Sequence, residues 1–460
     1  MTHAGTTRTP NMLSLYDTGA QHPALAEIRR RYRALHASQW WPEDEIRELQ
    51  LRCAARLVAH ASKQVPLYRR HYGDNAQVSS WEEFLQLPTL TRTMIEDADK
   101  KDWIAEWTPP VSRPVSEAYT SGTTGRIIRV PRTPLMESWR AGCRMREYEW
   151  SGTDPGLSCA HIRHRHASDD PGWDEKRQMA RSAWWEEPAL GRLLGFGPGF
   201  FFDVSPPPKK MAAVLKELEP AYICSTPTML DILLEHLRPY RPATLFTIGE
   251  NLYDPVRERL EAGYGALVYD IYAVVEVGRA AAQCPQGNGY HVHDENVILE
   301  VVDERGRPAA PGVPSRVLLT ALHNFAAPVI RYEIGDLAEL SPDPCPCGRR
   351  LTFIRRFHGR EISRIALPGG RRRVASSLMA WLGHLPHLKG FQLRQKAFDR
   401  FELFVVAKEA LSSREMDTVR SMLEQMTEQP IDLKVVPVDE VPMNPAGKVA
   451  KVVIEVEADS

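Results

Sequence analysis

Three short apolar runs in the middle of the chain, AYICS (221–225), TLFTIG (244–249) and ALVYDIY (266–272), alternate with amphipathic stretches such as KKMAAVLKELE (209–219), before the first, and YDPVRERLEAG (253–263), before the last. Strands separated by helices of that length are joined by crossovers, which set neighbouring strands parallel and cover the sheet with helices. The class is therefore α/β, and the rest of the chain must be read around a parallel sheet.

Upstream, Pro23 to about Tyr72 reads as a helical entry segment, with Ile46, Leu49, Cys53, Leu57 and Ala61 recurring at roughly one helical turn. Val111 to Arg132 turns to Ser, Thr and Gly and then to the apolar IIRV, a loop leading into a strand. Downstream, NVILEVVDERGRP, SRVLLTALHN and APVIRYEIGDLAEL give three strands with turns between them, a small antiparallel or barrel-like layer. From LPGGRRRV onward, helical and strand patterns make a compact α+β set of about one hundred residues, short enough for a small domain of its own. The predicted architecture is a large N-terminal α/β domain (1–358) with the barrel-like layer, followed by a small mobile α+β domain (359–460).

Lys and Arg number 58 against 59 Asp and Glu in 460 residues, a formal charge of −1. That balance excludes a protein built to grip nucleic acid, which concentrates basic residues. With 43% hydrophobic and 25% charged residues, disorder is not the dominant state. The opening residues lack a secretory pattern, and no run approaches the ~18 apolar residues of a membrane span. A cytoplasmic protein without membrane attachment is expected, and the oligomeric state stays open. Its seven cysteines are then thiols or metal ligands.

The sharpest motif is Thr120-Ser121-Gly122-Thr123-Thr124-Gly125-Arg126. Glycines admit a phosphate close to the backbone, and hydroxyls and amides donate to its oxygens; the Walker spacing is absent. Gly249-Glu250 ends one strand, Tyr272 to Glu276 another, Arg331 to Asp336 a third, and Gly447-Lys448 lies near the C-terminus. Singly, each has a plainer reading as a turn, a cap or a solvated charge. In this order they resemble the adenylate-forming superfamily, and within it the phenylacetate–CoA ligase-like branch, over most of the chain. ELQLRCAARLVAHASKQVPLYRRHYG and LPTLTRTMI resemble that branch's opening helix, turn and entry loop.

The resemblance implies a two-step reaction: a carboxylate attacks the α-phosphate of ATP to give an acyl-adenylate and pyrophosphate, and coenzyme A then displaces AMP. It assigns the 120–126 loop to the β- and γ-phosphates, Gly249 and Glu250 to the adenine pocket and Tyr272 to stacking on the base. Glu276 would bind magnesium, Asp336 the ribose hydroxyls and Arg356 or Arg360 the ribose or phosphate, while Lys448 would enter the site for adenylation. Arg126 and Ile127 stand where the branch has Lys and Pro, Ala273 and Val275 where it has Gly and a hydroxyl residue, and Glu361 to Arg364 form an unusual hinge. These departures motivate two alternatives, an adenylating enzyme with a second nucleophile other than coenzyme A, such as an amine, and a nucleotide-binding protein without turnover.

Cys345-Pro346-Cys347-Gly348 carries the thiolate pair and glycine turn of a zinc knuckle, and Cys284 with His291 would complete a structural Cys₃His zinc site if the strands bring both loops together. The alternative is packed free thiols. Some members of the branch carry zinc there. His161, His164 and His166 alternate with arginine along a predicted strand, without a thiol or carboxylate among them, and are assigned to the acid pocket or a polar surface rather than to a metal. By the resemblance His164, His166, Trp184, Trp185 and Phe196 line the acid pocket, which would suit a small polar or aromatic acid.

Overall fold

The computed structural model describes residues 23–119, 128–163, 172–185, 191, 195–203, 206–286, 289–360, 364–370, 372–383, 385, 387–407, 409–439, 441 and 452–456. Contacts divide these into two compact units, the larger within 23–119, 128–334 and 339–356 and the smaller within 335–338 and 357–456.

In the larger unit α1 (Pro23–Ser38), α2 (Glu43–Gln64) and α3 (Pro66–Tyr72) form the helical entry. Acidic residues fill the first turn of α2, where they complement the helix dipole, and Pro66 occupies the first turn of α3, where no N–H is needed. The buried stripe of α2 is Ile46, Gln50, Ala54, Leu57, Val58 and Ala61. Leu49 and Cys53, expected in the core, are only half-buried at its flank. Gln50 takes the central place because its amide donates to the carbonyls of Asp294 (3.0 Å) and Val297 (3.1 Å), so the polar group is buried with partners.

Helix α4 (Pro134–Ser151) starts on a Thr133 cap and ends on Gly152 in the left-handed region. The crossovers follow as β1 (Cys159–Ile162), β2 (Gly199–Phe202), α5 (Pro208–Leu218), β3 (Tyr222–Ser225), α6 (Pro227–Leu237), β4 (Thr244–Ile248), α7 (Asp254–Tyr264) and β5 (Leu267–Val274). Neighbours β2–β1, β1–β3, β3–β4 and β4–β5 all pair parallel. Alternate residues of these strands face opposite ways: Ile223, Leu245 and Val268 pack with α5, α6 and α7, and Tyr222, Phe246 and Tyr269 pack with α1 and α4.

The chain then turns antiparallel through β6 (Gly278–Gln283), β7 (Tyr290–Val292), β8 (Val297–Val302), β9 (Ser315–Ala321), β10 (Tyr332–Leu340) and β11 (Phe353–Arg360). The strands expected as a barrel-like layer are continuous with the main sheet, in the order β8-β9-β10-β11-β7-β6-β5-β4-β3-β1-β2. Strand β1 carries His161, whereas His164 and His166 lie outside the described residues, so the alternation read across the three is not described.

The smaller unit has its own sheet of β12 (Leu388–Ala397), β13 (Arg400–Ala407), β14 (Asp432–Pro437) and β15 (Val452–Ile454), with helices α8 (Ser376–Gly383) and α9 (Ser413–Thr427). Ser412 and Glu415 close a capping box on α9. Leu393, Phe401, Leu403, Val419 and Leu423 fill its core. Among the described residues no helix is long and apolar enough to cross a membrane.

Candidate active site

Parallel sheets offer their ligand sites at the carboxyl ends of the strands, and there the larger unit gathers several of the sequence candidates. Gly249 leaves β4 with φ +86°, a conformation glycine adopts without strain, and it and Glu250 are exposed. Ile271 of β5 is in register with Ile248, so Tyr272, half-buried, lies level with that exit. Glu276 follows in the tight connection from β5 to β6 and is 3% exposed. The Tyr332 hydroxyl donates to Glu276 Oε1 at 3.2 Å, and Arg92 Nη1 stands 3.9 Å from the same oxygen. Burial and the Glu276 charge both push the Tyr332 phenol well above its ordinary range, so it stays protonated as a donor.

Asp336 is half-buried on β10, and Arg356 on β11 is exposed and pairs with Asp254 at 2.5 Å. Trp184 packs against the aromatic core, whereas Trp185 and Phe196 lie inside it, their rings 5.0 Å apart and edge-on. His161 stacks on Phe201. The 120–126 loop, His164, His166 and Lys448 fall outside the described residues, as does the side chain of Arg360.

The thiol cluster assembles through three adjacent strands. Cys284 follows β6, His291 is on β7 opposite Ala282, and β11 pairs His291 with Phe353, which brings the turn carrying Cys345 and Cys347 alongside. Gly289 makes this approach feasible, since a Cβ there would stand 2.5 Å from the Ile354 carbonyl oxygen. The ligand atoms of Cys284, His291, Cys345 and Cys347 all lie within 4.8 Å of one another. Cys284 Sγ is 3.4 Å from Cys345 Sγ, and His291 Nε2 is 3.1 Å from Cys347 Sγ. Three soft thiols and an imidazole at such spacings fit a tetrahedral ion, with every position taken by protein.

A buried ionic chain beside these groups went unread in the sequence. Arg146 of α4 grips Glu295 with both terminal nitrogens, at 2.8 and 3.0 Å, and its Nη2 is 2.7 Å from His293 Nδ1. His293 Nε2 is 2.8 Å from Glu147 Oε1, and Glu147 Oε2 accepts from Arg279 on β6. Arginine can only donate, so His293 Nδ1 is the acceptor and Nε2 carries the proton toward Glu147. Burial pushes the Glu147 and Glu295 carboxyls up, and the adjoining cations more than offset it, so both end below their usual range. The signal was an arginine inside an apolar stripe: Trp139, Cys143, Arg146 and Trp150 share one face of α4.

No family model matches the chain. It is 24% identical over 387 residues to a phenylacetate–coenzyme A ligase of Thermus thermophilus, covering 80% of this chain and 83% of that one. It is 25% identical over 331 residues to the phenylacetate–coenzyme A ligase of Escherichia coli, covering 68% and 71%. A crystal structure of 2-hydroxyisobutyryl-CoA ligase, in the postadenylation state with its acyl-AMP, superposes with a TM-score of 0.66 at 20% identity over 91% of this chain and 93% of that one.

The chain is similar in sequence to phenylacetate–coenzyme A ligases, at 24–25% identity. Its sequence likeness is to the phenylacetate–CoA ligase-like branch, and its mixed α/β architecture is the adenylate-forming ligase fold.

Proposed function

We propose that this protein is an acid–thiol ligase that activates a small aromatic carboxylic acid with ATP and passes the acyl group to coenzyme A in the cytoplasm. The carboxylate oxygen bonds to the α-phosphorus as pyrophosphate leaves, and the thiol sulfur then bonds to the acyl carbon as AMP leaves. A carboxylate is a poor electrophile, and adenylation turns its oxygen into a good leaving group. The observation that carries the reading is the meeting of Gly249, Tyr272 and Glu276 at the carboxyl ends of adjacent parallel strands in a chain of this fold.

The protein's task is to hold two anions together and to place positive charge where more negative charge develops. In this reading the 120–125 loop and Arg126 hold the β- and γ-phosphates. Tyr272 stacks on the base beside Gly249 and Glu250, Asp336 accepts from the ribose, and Arg356 or Arg360 contacts the ribose or phosphate. Lys448 places an ammonium between carboxylate and α-phosphate, and the smaller unit is the lid that carries it. Glu276 is the carboxylate that would hold magnesium, a hard cation suited to oxygen ligands that neutralises phosphate charge when bound. Cys284, His291, Cys345 and Cys347 would hold zinc as a clamp between β6, β7 and the turn before β11, leaving no open position for catalysis.

Incubation with ATP, magnesium, coenzyme A and a panel of aryl acids is expected to give acyl-CoA and AMP in equal amounts. Lys448→Ala is expected to lose adenylate formation while still binding ATP; unchanged adenylation would remove the lid mechanism. Release of acyl-AMP or an amide instead of a thioester would favour a different second nucleophile. Elemental analysis is expected to give about one zinc per chain, and a value near zero would leave the cluster as free thiols.

A further inference from the structure

Arg279 stands second in β6, after Gly278 with φ +90°, and it pairs with Ala273 where a bulge between Tyr272 and Ala273 shifts the register of β5. Bulges re-aim neighbouring side chains and recur beside active sites. Here the bulge sets Arg279 across from the residue that follows Tyr272 and in the same hairpin as Glu276, the groups assigned above to base and magnesium.

The Arg279 side chain is 14% exposed. Its Nη1 donates to Glu147, and among the described residues no partner takes its other N–H groups. A guanidinium carries five N–H donors in a rigid fork, so most of this one is left for something else. The carboxylate that holds it is itself immobilised: Glu147 is fully buried against His293, which is fixed by Arg146, which is fixed by Glu295. The exposed edge of Arg279 is thus presented in one orientation.

That edge belongs to the face of the sheet where Trp184, Ala221, Cys224, Ile248 and Ala273 are the half-buried residues over the aromatic core. Burial raises the Cys224 thiol, the charges of Arg163, Arg279 and Arg144 act against it, and that of Glu147 acts with it. Arg144 is itself buried in α4, one turn from Tyr148 in the aromatic core. A purely apolar acid would desolvate this edge of Arg279 without replacing its hydrogen bonds, which costs binding, whereas a second anion would satisfy them.

We propose that Arg279 is the specificity-determining residue of the acid pocket and that the acid carries a second anionic group, a ring carboxylate, remote from the one activated. This rests on the adenylation reading, and its test is separable from it because binding is read without turnover. Benzoate and the three benzene dicarboxylates are titrated calorimetrically into the full chain and into Arg279→Met and Arg279→Lys.

One dicarboxylate is expected to bind the native chain about 30-fold or more tightly than benzoate, the scale of losing a partner from a desolvated charge pair. That preference should vanish in Arg279→Met and survive in part in Arg279→Lys, with ATP affinity unchanged in both. Benzoate binding as tightly as every dicarboxylate would overturn the proposal. So would a preference that Arg279→Met retains; if that variant does not fold, a preference undiminished in Arg279→Lys does the same, because an ammonium cannot reproduce the fork. Failure of every acid to support adenylation, with the binding preference intact, would count against the proposed function and not against this assignment.

Discussion

From the same three strands, Ile223, Leu245 and Val268 meet Leu215, Leu230, Leu233 and Leu260 on one side of the sheet, while Tyr222, Phe246 and Tyr269 meet α4 on the other. The first side is a mainly aliphatic layer, joined by Phe200, Phe202 and Tyr264. On the second, aromatic rings lie beside Arg146, Glu147, His293 and Glu295, all buried. Apolar side chains interchange at modest cost if volume is kept, so the aliphatic layer specifies little beyond the fold. A buried ion chain costs desolvation and offers doubtful net stability over hydrophobic packing. Its presence on one face only is what an orienting role for that face would require.

The largest effect that would test this contrast is on the chain itself. Arg146→Met leaves Glu295 buried without its cation and should destabilise the larger unit by about 3–5 kcal/mol. Leu233→Ala on the aliphatic side should cost a similar amount, about 2–5 kcal/mol, through a cavity. The two should part on a second replacement: Glu295→Leu added to Arg146→Met should recover much of the loss, because no unpaired charge remains. Denaturant unfolding followed by tryptophan fluorescence measures both, and a double variant no better than the single one would show that the ion chain is itself a main source of stability.

A smaller effect concerns pH. His323 stacks on Trp139 at 4.1 Å, and its Nε2 is 2.8 Å from the Glu295 carbonyl oxygen. Burial, together with the charges of Arg31 and Arg56, holds it down to about 3 against an ordinary 6.5. The unfolded chain therefore takes up a proton there that the folded chain refuses. The stability linked to His323 is complete above pH 6.5 and is lost as pH falls toward 3, at up to about 1.4 kcal/mol per pH unit. His323→Gln keeps a donor and should flatten the fall in stability between pH 6 and 4. An unaltered slope would place the titration elsewhere.

The two faces also differ in how well they can be read from residues alone. AYICS, TLFTIG and ALVYDIY, with their intervening amphipathic runs, became β3, β4 and β5 with α7 between the last two, because strand alternation and helical periodicity are local patterns. The phase of α2 was missed by about one residue, since Gln50 looks like a surface residue until its partners, 244 and 247 positions away, are known. The ion chain was missed for the same reason: Arg146 and Glu295 are 149 residues apart. The thiol cluster was legible, because few arrangements other than a metal site put a Cys-x-Cys turn beside a Cys that follows one strand and a His on the next. Of the nucleotide candidates, Gly249, Tyr272 and Glu276 were read from strand ends and do lie at strand ends; Lys448 and the 120–126 loop rest on the family resemblance.

All of this hangs on whether the chain makes an acyl-adenylate. Exchange of labelled pyrophosphate into ATP, run with and without aryl mono- and dicarboxylic acids and in the absence of coenzyme A, reads that step alone. The account predicts exchange that depends on the acid and on magnesium. No exchange with any acid, from protein that still binds ATP, would contradict it.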